Sequence, residues 1–179
     1  MNNLKSVTSL AMIAIATAYA IPATAQGISV QFQESAPKDR FIIVNQTDCS
    51  YSQMNLSIDL KDSAAGLLFD TQSGGAGINV YQPLEVAVGS QWISRADSVQ
   101  DGASQLELTI SEFPSQERIT ITIDVDDTQP LSPLGTQMIS NSEIAGAEVR
   151  IKVDDVSPMS SRFNAEGKLN VDLKCTTDV

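Results

Sequence analysis

The sequence predicts an all-β protein of antiparallel strands, and three observations support this fold class. Short runs rich in Ile, Val, Thr and Leu alternate apolar with polar residues, and no long segment places apolar residues at helical spacing. Turn residues separate these runs at intervals of about 8 to 12 residues. The chain left after an N-terminal leader has the length of one domain, enough to bury on the order of 70% of its unfolded surface.

The leader has the pattern of a secretory signal peptide. Lys5 supplies the positive charge, residues 9–20 are almost wholly apolar, and Ala-Thr-Ala at 23–25 is the small-x-small ending that signal peptidases accept. The apolar run is too short to span a bilayer, and no later stretch is long or apolar enough to do so. We therefore expect a signal peptide over 1–25 and one exported domain over 26–179, either periplasmic or extracellular.

In the first half of that domain, turn residues set the strand boundaries. A turn falls between the first two strands because Pro37 cannot donate to a ladder and Asp39 can bond the backbone locally. Pro83 marks the last of them as an edge strand or one that changes sheet. Residues 89–103, which include Trp92, have no clear pattern. The predicted strands are residues 28–32, 40–46, 54–60, 67–71, 78–81 and 84–88.

The second half is more regular. Residues 104–110 and 118–125 predict an antiparallel pair around the turn "SEFPSQE", and "DTQPLSPLG" is too irregular for a strand. Strands over 145–153 and 167–175 complete the set, with Gly146 as a bulge. Eight to ten short strands at this spacing predict an antiparallel β-sandwich of immunoglobulin type.

The two cysteines of the chain, Cys49 and Cys175, are predicted to form a disulfide. Export would place them where disulfides persist, and closing so long a loop stabilises the fold by roughly 4 to 5 kcal/mol in the chain-entropy model. The alternative is two unrelated free thiols.

Charge and composition exclude several mechanisms. Lys5 leaves with the leader, so 10 of the 11 basic residues remain against 22 acidic ones, a net charge of −12. This charge disfavours nucleic acid and anionic lipid, and it suits divalent cations, cationic partners or simply solubility in a salty medium. The chain has no histidine, which removes Ser-His-Asp and Cys-His catalysis and His-ligated zinc.

Two short motifs resemble catalytic or nucleotide-binding signatures without their context. "SAPK" at 35–38 has the S-x-x-K spacing of penicillin-recognising enzymes, but it lies in a turn and neither companion motif is present. "SGGAG" at 73–77 lacks the lysine of a phosphate-binding loop and is interpreted as a flexible connector.

Carboxylates in "ITIDVDDT" (121–128) are the strongest candidate for a site. Asp124 and Asp126 project from one face of the predicted strand and Asp127 begins the turn; the same Val-Asp-Asp ending recurs at Asp154 and Asp155. If both strand ends lie at one pole of the sandwich, these carboxylates predict a calcium site, because Ca²⁺ takes six to eight oxygen ligands. The alternative is ordinary solvated strand ends.

The order of several segments resembles a known group of proteins. "ESAPKDRFIIVN", "LSIDLKDSAAGLLFDT", "SGGAGINVYQPLEV", "ITIDVDDT" and "SEIAGAEVRI" follow one another as in small exported bacterial proteins known as aggregation factor core proteins, named after sponge cell-aggregation factors. The likeness covers most of residues 28–153 and includes no catalytic signature. It implies a secreted β-sandwich that takes part in cell-surface contact and aggregation. The sponge proteins are associated with calcium and carbohydrate, and none of their ligand motifs is matched in this chain.

Three functions remain open. The first is an exported, non-enzymatic binding or cell-aggregation module, assisted by calcium, whose partner is a protein, a cell-surface glycan or a second copy of itself. The second is a periplasmic accessory or scaffold domain that binds another protein without a cation. The third is a carboxylate-dependent hydrolase, although sugar-cleaving sites are usually rich in Trp and Tyr, and of these two residue types the exported domain offers only Trp92, Tyr51 and Tyr81. We expect no nucleic-acid binding, no membrane insertion and no cofactor other than calcium.

Overall fold

A computed structural model describes residues 26–35, 38–77, 81–128, 139–154 and 156–175. Within these residues the chain forms eleven strands and one short 3₁₀ turn at Ser90–Trp92. The strands are β1 (Ile28–Gln33), β2 (Asp39–Asn45), β3 (Tyr51–Asp59), β4 (Leu68–Asp70), β5 (Glu85–Val88), β6 (Ile93–Ala96), β7 (Gln105–Phe113), β8 (Arg118–Asp126), β9 (Glu148–Val153), β10 (Met159–Arg162) and β11 (Lys168–Val171).

Two antiparallel sheets pack face to face, which confirms the predicted all-β sandwich. One sheet has the order β11-β1-β2-β8-β4, and β5 also pairs with β8. The other has the order β10-β9-β3-β7-β6. Alternating side chains of both sheets fill the space between them, and the aromatic residues among them include Phe32, Phe41, Phe69 and Phe113, each 0% exposed.

The end of the sandwich that carries Cys49 is held by a disulfide and a buried asparagine. Cys49 is bonded to Cys175 with a Cα–Cα distance of 5.8 Å, as predicted. Asn45 is 0% exposed, and its amide group donates to the carbonyl oxygens of Cys49 (2.8 Å), Phe113 (3.0 Å) and Pro114 (3.0 Å). A covalent link of this kind fits an oxidising compartment.

Some strand predictions require correction. The region 89–103 contains strand β6, and β10 follows β9, although neither was predicted. Gly146 lies in the turn before β9 with φ +95°, so it is not a bulge within that strand. The strand predicted over 78–81 falls outside the described residues except for Tyr81, as does the signal peptide over 1–25. No helix in the described part of the chain has the length and apolar character that crossing a membrane requires.

Candidate metal centre

Strand β8 is buried on both faces. Its inward residues, Ile119, Ile121, Ile123 and Val125, are at most 2% exposed, as the alternation predicts. The opposite face carries Thr120, Thr122, Asp124 and Asp126, which are 8%, 4%, 8% and 4% exposed. Asp124 and Asp126 are therefore not on a solvated strand face, and that reading of the pattern is wrong for these two residues.

The edge of β8 that faces away from β2 is shared by two strands. β4 pairs with the end of β8, with Leu68 opposite Asp126 and Asp70 opposite Asp124. β5 pairs with its middle, beginning with Glu85 opposite Thr122. The chain leaves this edge after Asp70 and is bonded to it again at Gln82, whose N–H donates to Asp70 O (3.2 Å) and whose carbonyl oxygen accepts from the N–H of Asp124 (3.2 Å). Residues that follow Asp70 are in this way placed beside the carboxylates of β8.

Three carboxylates converge where β4 meets the end of β8. One oxygen each from Asp70, Asp124 and Asp126 lies within 4.8 Å of the others. Directly opposed residues in an antiparallel pair share one face of the sheet, so Asp70 joins Asp124 on the outer face. Asp70 is 1% exposed. The cluster thus holds three acidic groups that are almost fully removed from solvent.

Two buried oxygens of this cluster lack hydrogen-bond partners. Among the described residues, neither Oδ1 of Asp70 nor Oδ2 of Asp124 has one. Burial raises the pKa of Asp70 to about 6 and that of Asp124 to about 7, and the carboxylate of Asp126 adds to both shifts. Buried acidic oxygens are normally satisfied, because leaving one unpaired costs on the order of 1–3 kcal/mol or more. A proton or a bound cation is the usual compensation.

A fourth buried carboxyl, Asp39, lies on the inner side of the same sheet. Asp39 begins β2 opposite Ile123 and is 5% exposed. Its two oxygens accept hydrogen bonds from the backbone N–H groups of Ser35 (3.1 Å) and Val125 (3.2 Å). Burial, with a contribution from Asp124, raises the pKa of Asp39 to about 8. Because both of its oxygens already accept hydrogen bonds, we assign Asp39 a structural role beside the three carboxylates and not the role of a metal ligand.

The glycine-rich segment 71–77 lies against the cluster. A Cβ on Gly77 would overlap Oδ2 of Asp126 and Oδ2 of Asp70, so only glycine allows this approach. Asp101, from the connection between β6 and β7, accepts hydrogen bonds from the backbone N–H groups of Thr71 (2.9 Å), Gln72 (3.1 Å) and Ala76 (2.6 Å). These bonds hold the pKa of Asp101 below its usual range. The carboxyl group of Asp101 also contributes to the raised pKa of Asp70.

The structure does not bring together all of the carboxylates that the sequence predicts as calcium ligands. Asp124 and Asp126 are together, whereas Asp127 is buried (6% exposed) and lies outside the group of three. Asp154 is exposed, and Asp155 lies outside the described residues.

Strand register explains the position of Asp154. Val153 pairs with Met54, which pairs with Ile110 toward the far end of β7. Asp126 pairs with Leu68, and the next residue of β4, Phe69, bonds to Ala103 just before β7 begins. The two Val-Asp-Asp segments are therefore at opposite ends of the sandwich.

Two residues of this region were not identified from the sequence. Asp70 is the last residue of β4 and the next to last of the strand predicted over 67–71, and Asp101 lies in the stretch without a clear pattern. The signals that could have found them are an Asp at a strand end followed by a glycine-rich segment, and an Asp-Gly turn at 101–102. Neither signal is specific.

Comparison with known proteins identifies neither a family nor a function for the chain. No family model matches the chain, and no curated protein matches its sequence.

Proposed function

We propose that the protein is an exported, non-enzymatic β-sandwich module that binds calcium through Asp70, Asp124 and Asp126. The observation that carries this proposal is the pair of buried, unpartnered oxygens, Oδ1 of Asp70 and Oδ2 of Asp124, within a group of three carboxylates. Like charges removed from water need a counter-charge, and a divalent cation supplies it.

Calcium suits this cluster better than magnesium. Two oxygens bound to one Ca²⁺ at 2.3–2.6 Å lie at most about 5.2 Å apart, and the three carboxylates satisfy this limit. Mg²⁺ usually keeps several of its waters and binds through one or two carboxylates, so a buried group of three carboxylates suits it less well. Three carboxylates offer six oxygens, the lower end of the calcium coordination range. We therefore expect Ca²⁺ to bind more tightly than Mg²⁺.

Burial argues against the hydrolase alternative. The three carboxylates are between 1% and 8% exposed, which is too little for a substrate ring to contact them. A glycosidase needs its two carboxyl groups to flank a bound sugar in an open cleft. We therefore propose binding without turnover, and the resemblance to aggregation factor core proteins favours cell-surface contact or self-association as its outcome.

The test is calcium titration of residues 26–179 by calorimetry, with thermal unfolding in millimolar calcium and in chelator. We expect one tightly bound Ca²⁺ per chain and a stabilisation of about 2.7 kcal/mol once calcium reaches a hundredfold excess over Kd. Asp124→Asn should remove both signals. Asp154→Asn is the matched control, because it makes the same charge change at an exposed position away from the cluster.

Superimposable melts in calcium and chelator, with no heat of binding, would overturn the cation site. Sedimentation in calcium and in chelator tests whether calcium binding leads to self-association. Calcium-dependent self-association supports aggregation, whereas a monomer that captures one stoichiometric protein partner in chelator favours the scaffold alternative.

A further inference from the structure

Segment 71–77 is attached to the candidate calcium site from two sides. Three of its backbone N–H groups, those of Thr71, Gln72 and Ala76, donate to the carboxylate of Asp101. Its last residue, Gly77, lies against Asp70 and Asp126. A second glycine of the segment, Gly75, lies against Asp101 itself, since a Cβ there would overlap that carboxylate. The segment therefore bridges Asp101 and the three buried carboxylates.

Asp101 and the cluster also interact directly. The neighbouring carboxyl group of Asp101 contributes to the raised pKa of Asp70, after the larger effect of burial. Asp101 is held close to β4 because Gly102 donates its N–H to Phe69 O (2.9 Å) and Phe69 donates its N–H to Ala103 O (2.9 Å). Without a cation, the carboxylate of Asp101 is next to a group of like charges. A calcium ion on the other three carboxylates cancels two of their three negative charges and so reduces that repulsion.

We propose that Asp101 is a positioning residue that couples calcium binding to the fastening of residues 71–77 over the site. This inference rests on the proposed calcium site, whose support is the pair of unpartnered buried oxygens of Asp70 and Asp124. By reducing the repulsion between Asp101 and the cluster, calcium strengthens the three bonds of Asp101 to the segment. Because coupling between two events is reciprocal, the fastened segment raises calcium affinity by the same factor.

The test is hydrogen exchange of backbone amides in calcium and in chelator, followed on residues 26–179. Calcium should slow exchange at Thr71, Gln72 and Ala76 by at least about tenfold, within the usual range of coupling between sites. The amides of Glu166 and Lys168 are internal controls. They donate to the side-chain oxygen of Asn164 (3.1 and 2.9 Å) in a turn that contains none of these carboxylates, so calcium should leave them unchanged.

Asp101→Asn separates this inference from the proposed function. The variant should still bind one Ca²⁺, about tenfold more weakly, and calcium should no longer slow the three amides. Asp97→Asn is the matched control, since Asp97 lies in the same connection and its carboxylate pairs with Arg95 (2.6 Å). It should behave as the parent protein does. Unchanged exchange at the amides of β8 in chelator would show that Asp101→Asn is folded.

The outcomes distinguish a failure of the coupling from a failure of the calcium site. If the parent binds calcium and its three amides do not slow, or if they slow equally in Asp101→Asn, the coupling is overturned and the calcium site stands. If the parent does not bind calcium, the proposed function fails and this inference fails with it.

Discussion

Asp70 and Asp124 face each other directly across the β4–β8 ladder, and each has one buried oxygen without a hydrogen-bond partner among the described residues. Like charges directly opposite in an antiparallel pair destabilise the sheet. Asp126, two residues further along the same face, adds a third carboxylate. Three neighbouring carboxylates destabilise the fold when no counter-charge is present. This cost supports the proposal that the site binds a cation.

The first prediction concerns Asp70→Asn. In chelator at pH 7 we expect this variant to be more stable than the parent by about 1 kcal/mol, because the amide removes a like charge from a directly opposed pair. In calcium it should be less stable than the parent, because a ligand is lost. Chemical denaturation in both buffers measures the two differences. A variant that is destabilised equally in both would show that Asp70 has a packing role alone.

The second prediction is a fall in stability with rising pH, to which Asp39 contributes most because its pKa is raised furthest. Its pKa is raised from the ordinary 3.8 to about 8 by burial, with Asp124 and Glu34 as the acidic neighbours that add to the shift. The folded protein therefore keeps this proton at pH values where the unfolded chain has lost it. The contribution of Asp39 is fully present below about pH 4 and decreases by about 1.4 kcal/mol per pH unit between about 4 and 8.

The measurement is the free energy of unfolding in chelator across this pH range. Asp39→Asn should reduce the slope by about 1.4 kcal/mol per pH unit and leave the part that comes from Asp70 and Asp124, whose pKa values are also raised. The substitution should also lower stability at acidic pH. The single oxygen of an amide cannot accept both of the backbone N–H hydrogen bonds that the two oxygens of Asp39 accept. A slope that is the same in parent and variant would assign the pH dependence to other groups.

Local alternation was sufficient to predict most of the fold. β8 has four inward apolar residues in strict alternation, and β3 has a similar pattern from Met54 onward. β6 and β10 were not predicted because they are short and largely exposed, so no apolar period distinguishes them from loops. The disulfide followed from cysteine count and expected export alone.

The site was predicted only in part because its geometry depends on strand pairing. Asp124 and Asp126 share a face through their spacing of two residues, which the sequence shows. Asp70 joins them because β4 pairs with β8 at one register, and nothing local to Asp70 encodes that register. Asp154 shares a motif with Asp126, yet β9 belongs to the other sheet.

The third prediction concerns Asn45, which organises the end of the sandwich that carries the disulfide. Its amide N–H group faces three carbonyl oxygens, and its own oxygen accepts from the backbone N–H (3.0 Å) and hydroxyl (2.7 Å) of Thr47. Asn45→Asp replaces the only donor with an acceptor, so a buried carboxylate would face three carbonyl oxygens. We expect a loss of about 3 kcal/mol or more at pH 7.

Chemical denaturation at pH 7 measures that loss. Asp48→Asn is a suitable control, since Asp48 is an exposed residue of the same loop and its substitution should change stability little. Calcium affinity should be unaffected in Asn45→Asp, because Asn45 lies at the other end of β2 from Asp39. A stability equal to that of the parent would show that the three carbonyl oxygens find other donors.

The fourth prediction concerns Gly77, whose backbone lies against two of the proposed calcium ligands. Gly77→Ala adds a methyl group that would overlap the Oδ2 atoms of Asp126 and Asp70, so either the segment withdraws or the carboxylates turn away. We expect calcium affinity to fall by about tenfold or more, an energy of about 1.4 kcal/mol. Stability in chelator should change by less than about 1 kcal/mol, because the segment lies at the surface.

Gly74→Ala provides the contrast within the same segment. A methyl group at Gly74 would meet nothing within 4 Å, and its cost is the left-handed backbone at φ +69°. It should therefore loosen the segment without touching a carboxylate. Calorimetric titration of the two variants compares the effects. An equal loss of affinity in both would show that the flexibility of the segment matters, and that direct contact of Gly77 with the carboxylates does not.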